Sequence, residues 1–234
     1  MWPFTKKFSI LDSGILEGMT DWHCHILPGV DDGVQKTEHA LDILSFYEKT
    51  GIHEVWFTPH IMEDCPNESA RLKERFESFK SIYKGNIKLH ISAENMIDTL
   101  FDQRFKEGDI MTIGEGMLLV ETSYYNPPIA FESTLKEIKE KGYKPLLAHP
   151  ERYVYMTDKD YPRLKEQGIL FQLNIMSLVG MYGQHAARTA SHLLQQGLYD
   201  FAGSDLHRLA PWRHAIQDKI LTKKEIDAIW RLLK

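Results

Sequence analysis

Residues 21–33 read DWHCHILPGVDDG and place two histidines, spaced H-x-H, at the end of a short apolar run. Side chains alternate along a β-strand, so His23 and His25 point the same way and can hold one metal ion together. The Pro-Gly and Asp-Asp-Gly turns that follow return a carboxylate to the same place. The stretch therefore predicts a β-strand that ends at a metal site.

Seven short runs rich in β-branched or aliphatic residues recur along the chain and are typical of β-strands. They lie at 19–23, 54–58, 87–93, 117–122, 144–148, 170–174 and 199–203. Helical patterns lie between most of them, at 36–50, 68–83, 129–141, 159–167 and 185–196, and a last one lies at 223–233. This alternation indicates a parallel sheet, and the lack of a Rossmann glycine fingerprint favours a closed β/α barrel. We predict an α/β fold, a single TIM-like barrel domain over residues 19–234, after an N-terminal extension at residues 1–18.

The bulk properties of the 234-residue chain narrow the class of protein further. A net charge of −5 argues against a nucleic-acid-binding surface, so we expect no nucleic-acid partner. Two cysteines provide no disulfide framework, and no apolar run approaches the roughly 18 residues of a membrane span. Since no apolar signal segment follows Lys6 and Lys7, we expect a cytoplasmic protein with no membrane span.

Polar residues follow six of the predicted strands and carry the functional prediction. In a β/α barrel the carboxyl ends of the strands build one active site, so these side chains are expected to meet. The candidates are His23, His25, Asp32, His60, Glu94, Glu121, His149, Asp205 and His207. Asp21 and Asp31 are candidates only for contacts behind these ligands.

This set of side chains favours several metal ions over one. Four carboxylates in one pocket repel one another unless cations lie among them, and nine ligands exceed the four that a tetrahedral ion needs. They suit two or three divalent ions, and mixed imidazole and carboxylate ligation suits Mn²⁺, Fe or Zn. Three such ions would make the pocket cationic and attract an anion such as a phosphate monoester.

Short motifs in a fixed order then connect the chain to a known family. They are DWHCHILPGVDDG at 21–33, TPH at 58–60, AEN at 93–95, LVETS at 119–123, LLAHPERY at 146–153 and GSDLH at 203–207. Over roughly residues 20–230 the chain resembles the polymerase and histidinol phosphatase (PHP) superfamily. Within that superfamily it resembles the bacterial metal-dependent protein-tyrosine phosphatases encoded with capsule and exopolysaccharide genes.

The resemblance implies a distorted seven-stranded β/α barrel with a trinuclear metal centre, often manganese. It places the metal ligands on the nine residues given above and the phosphate-binding arginine on Arg152. A second arginine of relatives corresponds to Arg208 or Arg213. Two positions depart from the family pattern. Ile61 stands where relatives often have a basic or polar residue, and Asn95 where a hydrophobic residue is more common.

The expected reaction is hydrolysis of phosphotyrosine on a protein. A hydroxide bridging two metal ions attacks phosphorus while the metal ions and Arg152 hold the phosphate oxygens. Arg208 is a further candidate catalytic residue. A third ion or a protonated His207 assists the tyrosyl leaving group. The partner implied by the resemblance is a membrane-associated bacterial tyrosine kinase with a tyrosine-rich tail.

Three alternatives stay open. The metal site could act on a small phosphomonoester such as histidinol phosphate or a nucleotide, or it could be a non-catalytic binding module. Cys65 and Arg71 also have the C-x5-R spacing of cysteine-dependent tyrosine phosphatases. That spacing is weak here, because the loop has no glycine and Asp64 would raise the pKa of the thiol.

Overall fold

A computed structural model of the chain describes residues 6–233. Its strands alternate with helices along the chain, as the periodicity predicts. In the described residues the strands are β1 (Thr20–Cys24), β2 (Glu54–Phe57), β3 (His60–Ile61), β4 (Lys88–Ile91), β5 (Glu94–Met96), β6 (Met117–Glu121), β7 (Lys144–Ala148), β8 (Leu170–Asn174) and β9 (Phe201–Gly203). Each of the seven predicted strand segments overlaps at least one of them.

The strands form two parallel sheets that continue into each other. One has the order β1-β2-β4 and the other the order β3-β5-β6-β7-β8-β9. Only Thr58 and Pro59 separate β2 from β3, and two residues separate β4 from β5. Across these breaks the Ser92 N–H donates to the Phe57 carbonyl at 2.8 Å, and the Glu94 N–H donates to the Pro59 carbonyl at 3.1 Å. The result is one curled parallel sheet.

The first and last strands meet at their carboxyl ends. The Asp205 N–H donates to the His23 carbonyl at 2.7 Å, and the His25 N–H donates to the Leu206 carbonyl at 3.0 Å. Cys24 and Leu206 form a parallel bridge just beyond β9. These bonds bring the residues after β1 and β9 side by side.

The helices confirm the predicted pattern and add two elements. They are α1 (Thr37–Thr50), α2 (Ser69–Ile82), α3 (Thr99–Glu107), α4 (Phe131–Glu140), α5 (Asp160–Glu166), α6 (Gly183–Gln196), α7 (Leu209–Ala215) and α8 (Lys223–Leu232). Helices α3 and α7 were not predicted. The signals for α3 are in the sequence: Asp98 caps it by accepting from the Phe101 N–H at 2.8 Å, and Gly108 ends it with φ 78°.

Apolar side chains fill both faces of the curled sheet. Along β6, Leu118 and Val120 pack in the large cluster shared with the helices, whereas Leu119 belongs to a second, smaller cluster. The smaller cluster also takes Leu146 and lies against Trp22. Alternation along the strands therefore gives the sheet two apolar faces, and the polar site lies at its carboxyl edge.

Residues 6–18 pack onto the rest of the protein. Phe8 pairs antiparallel with Leu221, and Ile10, Ile15 and Leu16 are at most 2 % exposed. The first five residues of the predicted extension lie outside the described residues. Among residues 6–233, no helix combines the length and the apolar character needed to cross a bilayer.

Candidate metal centre

All nine predicted ligand residues lie at the carboxyl edge of the sheet, and eight of them form three groups with ligand atoms within 4.8 Å of one another. The groups are His23, His25, Glu94 and Asp205; His60, Glu94 and Glu121; and His25, Asp32, His60 and His207. The ninth residue, His149, places Nε2 3.0 Å from Glu94 Oε1. The structure therefore brings the whole predicted set together.

The innermost group has the spacing of ligands around an ion. Glu94 Oε2 lies 3.1 Å from His23 Nε2 and 3.3 Å from His25 Nε2, and Asp205 Oδ1 lies 3.6 Å and 3.3 Å from the same two nitrogens. Ligands about 2.1 Å from a tetrahedral ion are about 3.4 Å apart. All four side chains are almost completely buried.

Hydrogen bonds behind the two histidines set their tautomers. His23 Nδ1 lies 2.9 Å from Gln172 Oε1, which also accepts from the His149 N–H, and His25 Nδ1 lies 2.8 Å from Asp31 Oδ2. Because these partners accept, the Nδ1 atoms carry the protons and the Nε2 atoms present lone pairs. The two Nε2 atoms are 3.1 Å apart. Two neutral imidazoles would face each other with lone pairs at that distance, and a proton on one nitrogen or a cation bound by both removes the repulsion.

The second group contains buried polar atoms with unmet bonding capacity. His60 Nδ1 lies 3.1 Å from both Glu94 Oε2 and Glu121 Oε1. None of these three atoms has a hydrogen-bond partner in the described structure. Buried polar atoms are nearly always paired, so this group also fits a metal ion.

The third group opens toward solvent. Asp32 Oδ1 lies 3.6 Å from His60 Nε2 and 3.4 Å from His207 Nε2, and the Asp32 side chain is 74 % exposed. A hydrogen bond from His207 and the nearby His60 lower the pKa of Asp32 to about 2. Asp32 is therefore an ionised carboxylate at the mouth of the site.

The pocket keeps Glu94 and Asp205 charged. Burial alone raises the pKa of Glu94, but His23 and His60 hold it well below its usual range. Burial likewise raises the pKa of Asp205, and His23 and His25 lower it further than burial raises it. Burial lowers the pKa of His23, but Glu94 and Asp205 raise it to about 9. The site thus attracts positive charge, which either protons or metal ions supply.

Arg152 is held at the edge of the cluster between two aromatic rings. Its guanidinium carbon lies 4.3 Å from the centre of the Tyr124 ring and 4.1 Å from that of Tyr182. Its Nη1 donates to Asp205 Oδ2 at 2.7 Å, and Asn174 Nδ2 donates to the same oxygen at 3.0 Å. Asp205 therefore turns one oxygen to the histidines and the other to Arg152.

The other predicted arginines lie farther out. Arg208 is exposed and lines a pocket beside His207. Arg213 is exposed and stacks on Phe46, with its guanidinium carbon 4.6 Å from the ring centre. Neither forms a salt bridge in the described structure.

The two departures from the family pattern are both buried. Ile61 is 1 % exposed and packs in the core. Asn95 accepts a hydrogen bond from Arg104 Nη1 at 3.0 Å, and its own amide donates to the Leu119 carbonyl at 3.0 Å. Asn95 thus pairs with a buried arginine on α3 directly beside Glu94.

The cysteine alternative does not fit the structure. Burial raises the pKa of Cys65, and Asp31 and Asp32 raise it further, which disfavours the thiolate. The Sγ of Cys65 lies 3.4 Å from the Val30 carbonyl, and α2 begins at Ser69. The C-x5-R spacing is therefore the start of an ordinary helix.

Fold and site together define an α/β protein with a cluster of candidate metal ligands at the carboxyl edge of a curled parallel sheet. Comparison with known families then gives a more specific assignment. The chain belongs to the family described as capsular polysaccharide synthesis, CpsB/CapC, which matches residues 19–226. This confirms the family predicted from the motifs.

Curated relatives and a solved structure agree with this family. The chain is 28 % identical over 198 residues to the tyrosine-protein phosphatase YwqE of Bacillus subtilis (strain 168), which covers 82 % of this chain and 78 % of the relative. It is 26 % identical over 207 residues to the tyrosine-protein phosphatase CpsB of Streptococcus pneumoniae, with 82 % and 84 % covered. It also resembles a chain from crystal structures of these two proteins, described as unique metal-dependent tyrosine phosphatases. That match has a TM-score of 0.74 at 22 % identity and covers 92 % of this chain and 96 % of the other, which supports the fold.

Proposed function

We propose that this protein is a metal-dependent protein-tyrosine phosphatase of capsular polysaccharide synthesis. The observation that carries the proposal is the innermost group, in which two imidazole nitrogens and two ionised carboxylates lie within 4.8 Å of one another. The printed names of the relatives, tyrosine-protein phosphatases, support the substrate class.

We assign the nine clustered residues as ligands of two or three divalent ions, with Mn²⁺ preferred and Fe or Zn as alternatives. The absence of thiolate among the ligands supports this choice, because imidazole and carboxylate suit these metals. We also propose that the curled sheet is a distorted seven-stranded barrel. The strand continuity across Pro59 and the bridge between Cys24 and Leu206 support that description.

Divalent ions bound there supply positive charge against phosphate oxygens and make water more acidic. The protein's own side chains do the rest. Arg152 has the position and permanent charge to bind a phosphate oxygen, and the Tyr124 and Tyr182 rings keep its guanidinium plane fixed. His207 is the most exposed histidine of the cluster at 27 %, so where only two ions bind and His207 is not a ligand, it is placed to give a proton to the leaving tyrosyl oxygen. Arg208 adds positive charge on that side.

The physiological substrate is proposed on the family resemblance alone. A bacterial tyrosine kinase with a phosphorylated tail, acting in the cytoplasm, remains a prediction. The exposed mouth at Asp32 is compatible with a protein substrate, since a flexible tail reaches it without the enzyme opening.

The test combines metal analysis with turnover. We expect chelation to abolish hydrolysis of a phosphotyrosine peptide and Mn²⁺ to restore it, because bound divalent ions would supply the acidified water and the positive charge that the reaction needs. Cys65→Ser serves as the control and should keep full activity. Full activity after complete removal of metal, or a higher kcat/KM for histidinol phosphate than for the peptide, contradicts the proposal.

A further inference from the structure

A pocket of about 460 Å³ lies directly beside the cluster of candidate metal ligands. Its walls are residues 33–36, the first two turns of α1, and residues 207–210. His207 belongs to both the cluster and the pocket, and Gly33 follows Asp32 in the chain. A group attached to a phosphate at the cluster therefore has a cavity next to it on this side.

The walls of this pocket are mostly carbon. Val34, Ile43, Leu209 and Ala210 contribute apolar side chains, and polar side chains stand around them. These polar residues are Gln35, Lys36, His39, Asp42 and Arg208. Ligand sites of about 300–1,000 Å³ typically have this composition, an apolar interior with a few polar groups.

The charged residues of the pocket suit an aromatic phosphate ester. Lys36 and Arg208 are exposed cations, and Asp42 is the one carboxylate among the lining residues. A cation favours the face of an aromatic ring, and two cations offset the charge that the phosphate brings. An acidic group would not use the apolar walls, and a purely aliphatic group would not use the two cations.

We infer that this pocket, hereafter the ring pocket, receives the aromatic ring of the phosphotyrosine side chain. The inference rests on the proposed function. Water adds to phosphorus, the bond from phosphorus to the tyrosyl oxygen breaks, and that oxygen takes up a proton while its ring stays in the ring pocket. A phosphoserine side chain has no ring to bury, so the ring pocket gives phosphotyrosine its advantage.

Two substitutions from opposite walls fill the ring pocket. Ala210→Trp enters from the start of α7 and His39→Trp from the first turns of α1. Each should lower kcat/KM for a phosphotyrosine peptide by about tenfold or more, because the ring loses its apolar site. The inhibition constant of inorganic phosphate should stay within about twofold of the wild-type value, since phosphate has no ring.

The matched control is Ala70→Trp. Ala70 is exposed and is the second residue of α2, as Ala210 is the second residue of α7, but it does not line the ring pocket. It should leave both constants unchanged. Wild-type kcat/KM in both folded pocket variants overturns the inference, and so does an equal loss of phosphate binding. Failure of the proposed function itself looks different: the manganese-loaded wild type would not hydrolyse the peptide.

Discussion

Asp31 organises the site although it is not among the predicted ligands. Its Oδ2 accepts from His25 Nδ1 at 2.8 Å and from the His60 N–H at 3.1 Å, and its Oδ1 accepts from the Gly33 N–H at 3.0 Å. One carboxylate thus fixes the tautomer of one histidine and the backbone of another. Contacts of this kind orient metal ligands and tune their affinity.

Asp31→Asn should lower metal affinity by about 10- to 100-fold, because the charge that fixes the His25 tautomer is lost. A competition titration of Mn²⁺ against a chelator of known affinity measures this directly, without relying on activity. The control Asp64→Asn changes an exposed carboxylate in the loop before α2 and should bind metal as the wild type does. Unchanged affinity in Asp31→Asn would show that its hydrogen bonds do not support the site.

Gly33 shows which role of a glycine can be predicted from the sequence and which cannot. The sequence identifies it as a turn glycine after two aspartates, but its φ is not positive. A Cβ at this position would lie 2.3 Å from the His25 carbonyl oxygen. The glycine is therefore required by close approach to a ligand residue, a contact that depends on three-dimensional geometry and not on local turn preference.

At the scale of elements, the breaks in two strands place His60 and Glu94. Each begins a short strand, β3 or β5, that pairs in register with the other. From the sequence, each residue is expected at the polar end of its own unbroken strand. The pairs Thr58-Pro59 and Ser92-Ala93 do not show that the strand breaks there and that hydrogen bonding between strands resumes at His60 and Glu94. The candidate ligands were predictable as strand-end residues. Their partner Gln172 was not, because its role depends on the register of β8 against β7.

Helix α8 is tied to α6 through one carboxylate. Glu225 Oε2 accepts from the Thr222 N–H at 2.7 Å, and its Oε1 accepts from Ser191 Oγ at 2.7 Å. Burial raises the pKa of Glu225, but the hydrogen bonds from Thr222 and Ser191 lower it below its usual value. A lowered folded pKa means that this stabilisation is present above the unfolded value of about 4.3 and is lost as the pH falls.

Glu225→Ala should therefore reduce the free energy of unfolding by about 1 kcal/mol at pH 7, because a capping box is lost. The difference from the wild type should shrink as the pH falls below about 4.3. Urea unfolding across that range measures it. Glu140→Ala, on the exposed end of α4, should show little change at either pH. A pH-independent difference for Glu225→Ala would contradict the electrostatic origin.

At the scale of the molecule, apolar residues of the segment before β1 are part of the core. Phe8 exchanges two backbone hydrogen bonds with Leu221, at 2.8 and 2.9 Å. Ile10, Ile15 and Leu16 are at most 2 % exposed. Composition could not predict this, because the apolar residues of this short segment do not show which part of the fold they pack against.

Deletion of residues 1–18 should cost several kcal/mol of unfolding free energy, since burying each large apolar side chain contributes about 1.5–3 kcal/mol. A domain typically has only about 5–15 kcal/mol in total. Thermal unfolding of the shortened chain, with and without Mn²⁺, tests the prediction. Deleting only residues 1–5, which leaves Phe8 and the buried isoleucines in place, is the control. An unchanged melting temperature after the longer deletion would contradict the expectation.

The hydrogen bond between Asp21 and the Ser204 N–H joins residues 183 positions apart, at 2.7 Å. Asp205 and His207 follow directly, so the cluster draws on residues that are far apart in the chain. During synthesis, a nascent chain on the ribosome cannot assemble this site until β9 and His207 have emerged. Pairings of such long sequence separation also form slowly. Binding of a metal ion by this cluster would therefore follow synthesis of the chain through His207 and would report that all of its ligands are in place.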